Sequence, residues 1–152
     1  MKAQHYRQAK ARIQALLDGE ADEVAIMATV ACELHHALDY FNWTGFYRVV
    51  EPGLLKIGPY QGGHGCLSIP FGRGVCGAVA SSGQTLRLDD VHSFPDHIAC
   101  SHTTRSEIVL PVTDRKGELR AVLDIDSDTP AAFDDTDEEQ LTAICRLIGE
   151  RL

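Results

Sequence analysis

The chain predicts an α+β domain built on an antiparallel sheet. Helix-period apolar patterns stand at its two ends, short strand-like segments divided by Gly, Pro and Asp fill the middle, and the last two of these segments read as a hairpin. With 152 residues and 44% hydrophobic content, it suits one domain over residues 1–152 that buries roughly two-thirds of its unfolded surface.

The elements follow in order. A weaker helical pattern covers Ala9 to Leu17. A stronger one lies in ADEVAIMATVACELHHAL, where Val24, Met27, Ala28, Ala31, Leu34, His35 and Leu38 recur near the 3.6-residue period, with Cys32 beside that stripe as a packed thiol. WTGFYRVV, LLKIGPY, CLSIP, TLRL, SEIVLPV and ELRAVLDID read as strands. The last helix takes Thr136 as N-cap and Glu139 as its capping-box partner, and carries Leu141, Ile144, Cys145 and Ile148 on its core face.

Between strands, FGRGVCG places Gly72, Gly74 and Gly77 at the spacing of a dinucleotide fingerprint, with Asp89 downstream. The context opposes that reading. Pro70 precedes the run, a helix has room only from about Gly74 to Ser82, and the later strands form a hairpin rather than βαβ units. The glycines instead predict a sharp strand-to-helix turn with Cys76 at the start of a short helix.

Charge and cysteine usage bound the function classes. There are 22 acidic and 14 basic residues, a net charge of -8, and without a Lys/Arg stripe a nucleic-acid partner is not expected. No apolar run is long enough to span a membrane, and the amphipathic N-terminus lacks a secretory h-region, so a cytoplasmic protein with no membrane partner is expected. Five cysteines, an odd number, then imply reduced thiols and any disulfide a transient, catalytic one. Cys32, Cys66, Cys76, Cys100 and Cys145 contain no CxxC pair, which opposes a zinc knuckle or a thioredoxin motif; His64, His97 and His102 leave zinc a minor reading.

SEIVLPV and ELRAVLDID are separated by TDRKG. With Asp114 to Gly117 as the loop, Thr113 faces Glu118, Glu107 faces Asp124, Ile108 faces Leu123, Leu110 faces Ala121 and Val112 faces Leu119. One face is then apolar, and Glu107, Asp124 and Asp126 share the other. Either these carboxylates point into water, or they crowd a site in which one holds a proton or the group awaits a cation. Shortly before Glu107 stands Cys100, in a polar loop where a thiol cannot pack as a small hydrophobe.

NWTGFYRV, GPYQG, CLSIPFGRGVCG, LDDVHSFPDHIAC, SEIVLPV and LDIDS, in this order, resemble the GAF-domain free methionine-(R)-sulfoxide reductases from about Asn42 to the final helix. The resemblance implies a six-stranded antiparallel sheet with the N- and C-terminal helices on one face and a closed ligand pocket on the other, in a homodimer. It implies reduction of free L-methionine (R)-S-oxide to methionine. On this resemblance Cys100 is the nucleophile, Cys66 the resolving thiol and Cys76 an auxiliary one. Trp43 and Tyr47 wall the substrate's S-methyl group, Glu107, Asp124 and Asp126 make polar contacts, and the backbone of Ile98, Ala99 and Cys100 takes its carboxylate.

The chemistry implied has Cys100 attack the sulfoxide sulfur while Glu107 or Asp126 protonates the oxygen; the resulting sulfenic acid condenses with Cys66, and thioredoxin reduces the disulfide. No metal, flavin or nicotinamide cofactor is required. His64 and His97 are candidates for tuning thiolate formation, and QGGHGC is richer in glycine and histidine than the family pattern. Two rivals remain: a GAF sensor that binds a small ligand without turnover, and a thiol redox sensor that switches a partner surface.

Overall fold

A computed structural model describes residues 1–98 and 100–152. Six strands, β1 (Trp43–Glu51), β2 (Leu54–Gln61), β3 (Ser68–Pro70), β4 (Leu86–Leu88), β5 (Ser106–Thr113) and β6 (Leu119–Ser127), form one sheet in the order β3-β2-β1-β6-β5-β4. Every neighbouring pair is antiparallel, and each strand arises from a segment that alternation and punctuation had marked.

Three helices, α1 (Lys2–Leu16), α2 (Glu23–Ala37) and α4 (Asp135–Gly149), cover one face, with α2 over β1 and β2, α4 over β5, and α1 packed on both helices. Their buried stripes meet Phe46, Ile108, Leu110, Ala121, Leu123 and Ile125 in one continuous core. α3 (Gly74–Ser82) lies on the opposite face, where Val75, Val79 and Ala80 pack with Tyr47, Leu55, Val109 and Val122. The central strands are therefore covered on both sides, and a carboxylate on the α3 face does not point into water.

The helices depart from the sequence reading in three ways. α1 begins at Lys2, well before Ala9, because its polar first turn is held from outside: fully buried Asp137 accepts from the hydroxyls of Tyr6 and Tyr40 and from Lys2 Nζ. α2 buries Ile26, Met27, Val30, Ala31 and Leu34, rotated away from the expected stripe, and Val24 is exposed; with small apolar residues all round, the period left the face ambiguous. α4 starts two residues earlier than expected, with Asp134 as N-cap and Asp137 as its reciprocal capping-box partner in place of Thr136 and Glu139.

The β5–β6 register is also corrected. Glu107 pairs with Asp126, Ile108 with Ile125, Val109 with Asp124, Leu110 with Leu123 and Val112 with Ala121. The loop is longer than expected because the Asp114 side chain accepts from the N–H groups of Lys116 and Glu118, and a bulge between Val112 and Thr113 adds a further shift. Together these slip the pairing by an even number of residues, so each side chain keeps its expected face.

The Gly-rich run is the turn into α3. Gly77 lies so close to β3 that a Cβ would come within 2.5 Å of the Pro70 carbonyl oxygen. β3 is a three-residue strand in an antiparallel sheet, not the opening strand of a βαβ unit.

Candidate active site

β1 sends Trp43, Gly45 and Tyr47 to the α3 face by its period of two. The Trp43 ring is stacked between Tyr47 and Tyr60, with centroids 5.8 and 5.3 Å away. Trp43 Nε1–H donates to the Gly63 carbonyl at 2.7 Å. Gly65 rests on the same pair, since a Cβ there would lie 2.9 Å from the Tyr47 hydroxyl oxygen. The aromatic wall thus also seats the loop that leads to Cys66.

The second loop is docked on α3. Asp96, in the left-handed region at φ 67, accepts from Arg73 Nε at 2.9 Å and Nη2 at 3.2 Å, and from the Gly74 N–H at 3.3 Å. It serves as a cap for a helix whose N-cap residue, Arg73, contributes no side-chain bond. Ile98 packs against Gly74, where a Cβ would sit 3.0 Å from its Cδ1. From this loop Cys100 reaches Cys66, and the two form a disulfide with Cα atoms 5.6 Å apart.

Beneath the bridge is a cavity of about 50 Å³ lined by Trp43, Tyr47, Cys76, Glu107, Asp124 and Asp126 among others. Glu107 and Asp124 are only 5% and 4% exposed. Glu107 Oε1 and Asp124 Oδ1 have no hydrogen-bond partner among the described residues. Burial, then the negative charge of its neighbours Asp124 and Asp126, pushes the Glu107 carboxyl well above its ordinary range. Burial and Asp124 do the same to Asp126. Burial raises Asp124 as well, but donors from Glu107, Cys76 and Asp126 oppose that rise. Of the three, Asp124 is therefore the most readily ionised.

Cys76 lies in this floor, not in the bridge. Burial, then the charges of Asp124 and Glu107, push its thiol well above the ordinary value, which keeps it protonated. Atoms of Cys76, Glu107 and Asp124 lie within 4.8 Å of one another; among the described residues His64, His97 and His102 do not join this group.

The structure therefore brings Trp43, Tyr47, Cys76, Ile98, Cys100, Glu107, Asp124 and Asp126 to one cavity, with Cys66 bonded to Cys100 at its edge. Ala99 lies outside the described residues. His64 and His97 both line the cavity; His64 is exposed, whereas His97 is half-buried with Nε2 3.8 Å from Glu107 Oε1. Sequence reasoning missed Arg73 and Asp96. The only local signal was an Asp after Pro95, a residue type that tolerates positive φ; its partner is distant in the chain.

Chemically, the arrangement sets a bridged cysteine pair over three buried carboxyl groups whose affinity for a proton is raised, beside an aromatic wall. GAF domain family features match residues 19–152. The chain is 41% identical over 152 residues to Protein YtsP of Bacillus subtilis (strain 168), covering 99% of this chain and 93% of that protein. It is 41% identical over 140 residues to the free methionine-R-sulfoxide reductase of Escherichia coli (strain K12), covering 92% and 84%. The X-ray structure of free methionine-R-sulfoxide reductase from Neisseria meningitidis in complex with its substrate superposes with a TM-score of 0.93 at 40% identity, covering 99% and 90%.

Proposed function

The chain belongs to the GAF domain family, and from that premise we propose that it reduces free L-methionine (R)-S-oxide to L-methionine as a single GAF-type domain. The observation that carries this reading is the Cys66–Cys100 disulfide standing over three crowded carboxyl groups, two of them pushed well above their ordinary range by burial. Protonated acid beside a thiol is what sulfoxide reduction needs, because protonating the oxygen makes the sulfoxide sulfur electrophilic and lets the oxygen pass to the cysteine as a hydroxyl.

In the reduced protein the Cys100 thiolate attacks the sulfoxide sulfur and Glu107 delivers a proton to the oxygen, with Asp126 as the neighbouring acid. The hydroxyl then passes from the substrate sulfur to the Cys100 sulfur as the transient S–S bond breaks, so Cys100 is oxidised to a sulfenic acid and methionine departs as the thioether. The Cys66 thiol attacks that sulfenic sulfur, the S–S bond forms, and the oxygen leaves as water. Thioredoxin reduces the disulfide by exchange. Asp124 holds the substrate ammonium with Asp126 as a further polar contact, Trp43 and Tyr47 pack on its S-methyl group, and backbone of the Ile98–Cys100 loop meets its carboxylate. Cys76, a buried neutral thiol that is free where Cys66 is bridged, stands by as the auxiliary cysteine. The working form is a cytoplasmic homodimer.

Thioredoxin-coupled NADPH oxidation tests the reading with the free R epimer, the free S epimer and a peptide sulfoxide. Turnover of the free R epimer alone is expected. No turnover of it sinks the proposal in favour of a sensor, and equal use of both epimers removes its stereochemical half.

A further inference from the structure

We propose that His97 carries a proton between the Cys100 thiol and the Glu107 carboxyl. The inference rests on the function proposed above and adds a residue to it. His97 Nε2 is 3.8 Å from Glu107 Oε1, and that oxygen is one of the two buried carboxylate atoms without a partner among the described residues. The histidine side chain is 16% exposed and the glutamate 7%, so the imidazole is the more solvent-accessible of the two. Cys100 follows on the same loop and lines the same cavity.

The backbone that carries the ring is held in place. The His97 N–H donates to the Phe94 carbonyl at 3.3 Å, and the adjacent Asp96 is clamped by Arg73. At 3.8 Å the gap to Glu107 is longer than a hydrogen bond. With Cys100 bonded to Cys66 there is no thiol proton to move, and such contacts tighten in the reacting complex.

Such a carrier closes the proton balance within the site. Cys100 loses a thiol proton as it becomes nucleophilic, and Glu107 loses one to the sulfoxide oxygen. If His97 takes the first at Nε2 and gives it to the Glu107 carboxylate, the thiol proton has moved to the departing oxygen and both groups are restored. The Cys100 sulfur is oxidised by two electrons and the sulfoxide sulfur reduced by two, so no outside proton is used in this half of the cycle.

The titratable and charged groups around His97 are His92 of the preceding 3₁₀ turn, Glu107 of β5, and, lining the same cavity, Asp124 and Asp126 of β6, Cys76 of α3, His64 and Arg73. Burial and His92 depress its imidazole below the ordinary value, opposed by Asp124. At neutral pH the ring is therefore a neutral base able to accept a thiol proton.

The test is single-turnover release of methionine against pH in a Cys66→Ser background, which stops at the sulfenic acid. The parent is expected to lose rate as pH falls through the His97 ionisation. His97→Gln should lower the rate by roughly 10²-fold and erase that acid limb. Imidazole should partly restore His97→Ala. Adding Glu107→Gln to His97→Gln should cost much less than the product of the single effects, because the two act as a unit. Thermal melts of both variants check folding. Parental rate and pH limb in His97→Gln, or full additivity with Glu107→Gln, would overturn the relay alone. A parent that releases no methionine would overturn the functional reading and the relay with it.

Discussion

Replacing Glu107 with Gln separates catalysis from stability, because the two should move in opposite directions. The amide keeps the size of a side chain that is only 5% exposed but cannot give up a proton. Loss of a general acid lowers rate by about 10²–10⁴-fold, or about 2.7–5.5 kcal/mol at 1.36 kcal/mol per decade. For stability, the folded state raises the Glu107 carboxyl well above its ordinary 4.5, chiefly through burial and then through Asp124 and Asp126. A raised acid contributes stability that is present below its unfolded value and lost as pH rises toward its folded one. Each unit of that rise is worth about 1.4 kcal/mol. Glu107→Gln should therefore match the wild type near pH 4 and exceed it at pH 8 in urea or thermal melts, while single-turnover methionine release collapses at both. The wild-type rate should also fall at alkaline pH as Glu107 ionises. A variant that releases methionine at the wild-type rate, or is less stable than wild type at pH 8, would refute the assignment of a buried, neutral proton donor.

Three other outcomes follow from the geometry. Cys100→Ser should abolish reduction, whereas Cys66→Ser should release one equivalent of methionine and then fail to recycle with thioredoxin; normal cycling would pass the resolving role to Cys76. The cavity beneath the disulfide, about 50 Å³, holds only a few waters at about 10–15 Å³ of such volume each, so calorimetry should detect binding of free methionine sulfoxide to a reduced Cys100→Ser protein and none to the oxidised wild type. Asp137→Ala should cost about 3–5 kcal/mol in urea unfolding, because it strands Lys2, Tyr6 and Tyr40 around a fully buried position; a loss under about 1 kcal/mol would show that water replaces the carboxylate.

What could be read from sequence depended on whether the cause was local. The strands were legible because Gly, Pro and Asp divide short apolar segments between them. The three glycines of FGRGVCG were legible as a turn for the same reason. α1 was only half legible, since its first turn is secured by Asp137 from the far end of the chain. The β5–β6 register was misjudged through a bulge and an Asp114-stapled loop, neither of which alternation reports. The carboxylates survived that error because a slip by an even number leaves every side chain on its face. The Arg73–Asp96 clamp was invisible, being a contact between exposed residues of distant loops.

The carboxyl cluster also bears on the choice between an enzyme and a passive module. Glu107 and Asp126 are opposed directly across β5 and β6, with Asp124 beside them, and all three are raised by burial. At neutral pH such a group weakens the sheet, so the stability of the domain must come from elsewhere: the continuous apolar core on the opposite face and the Asp137 hub. Apolar residues of similar volume at the same three positions would remove the penalty. What they could not do is hold a proton ready at neutral pH beside a cysteine, or receive an ammonium group in a pocket walled by Trp43 and Tyr47. A purely electrostatic role would be met by Asp124 alone; two further acids kept neutral make sense where a proton is to be delivered.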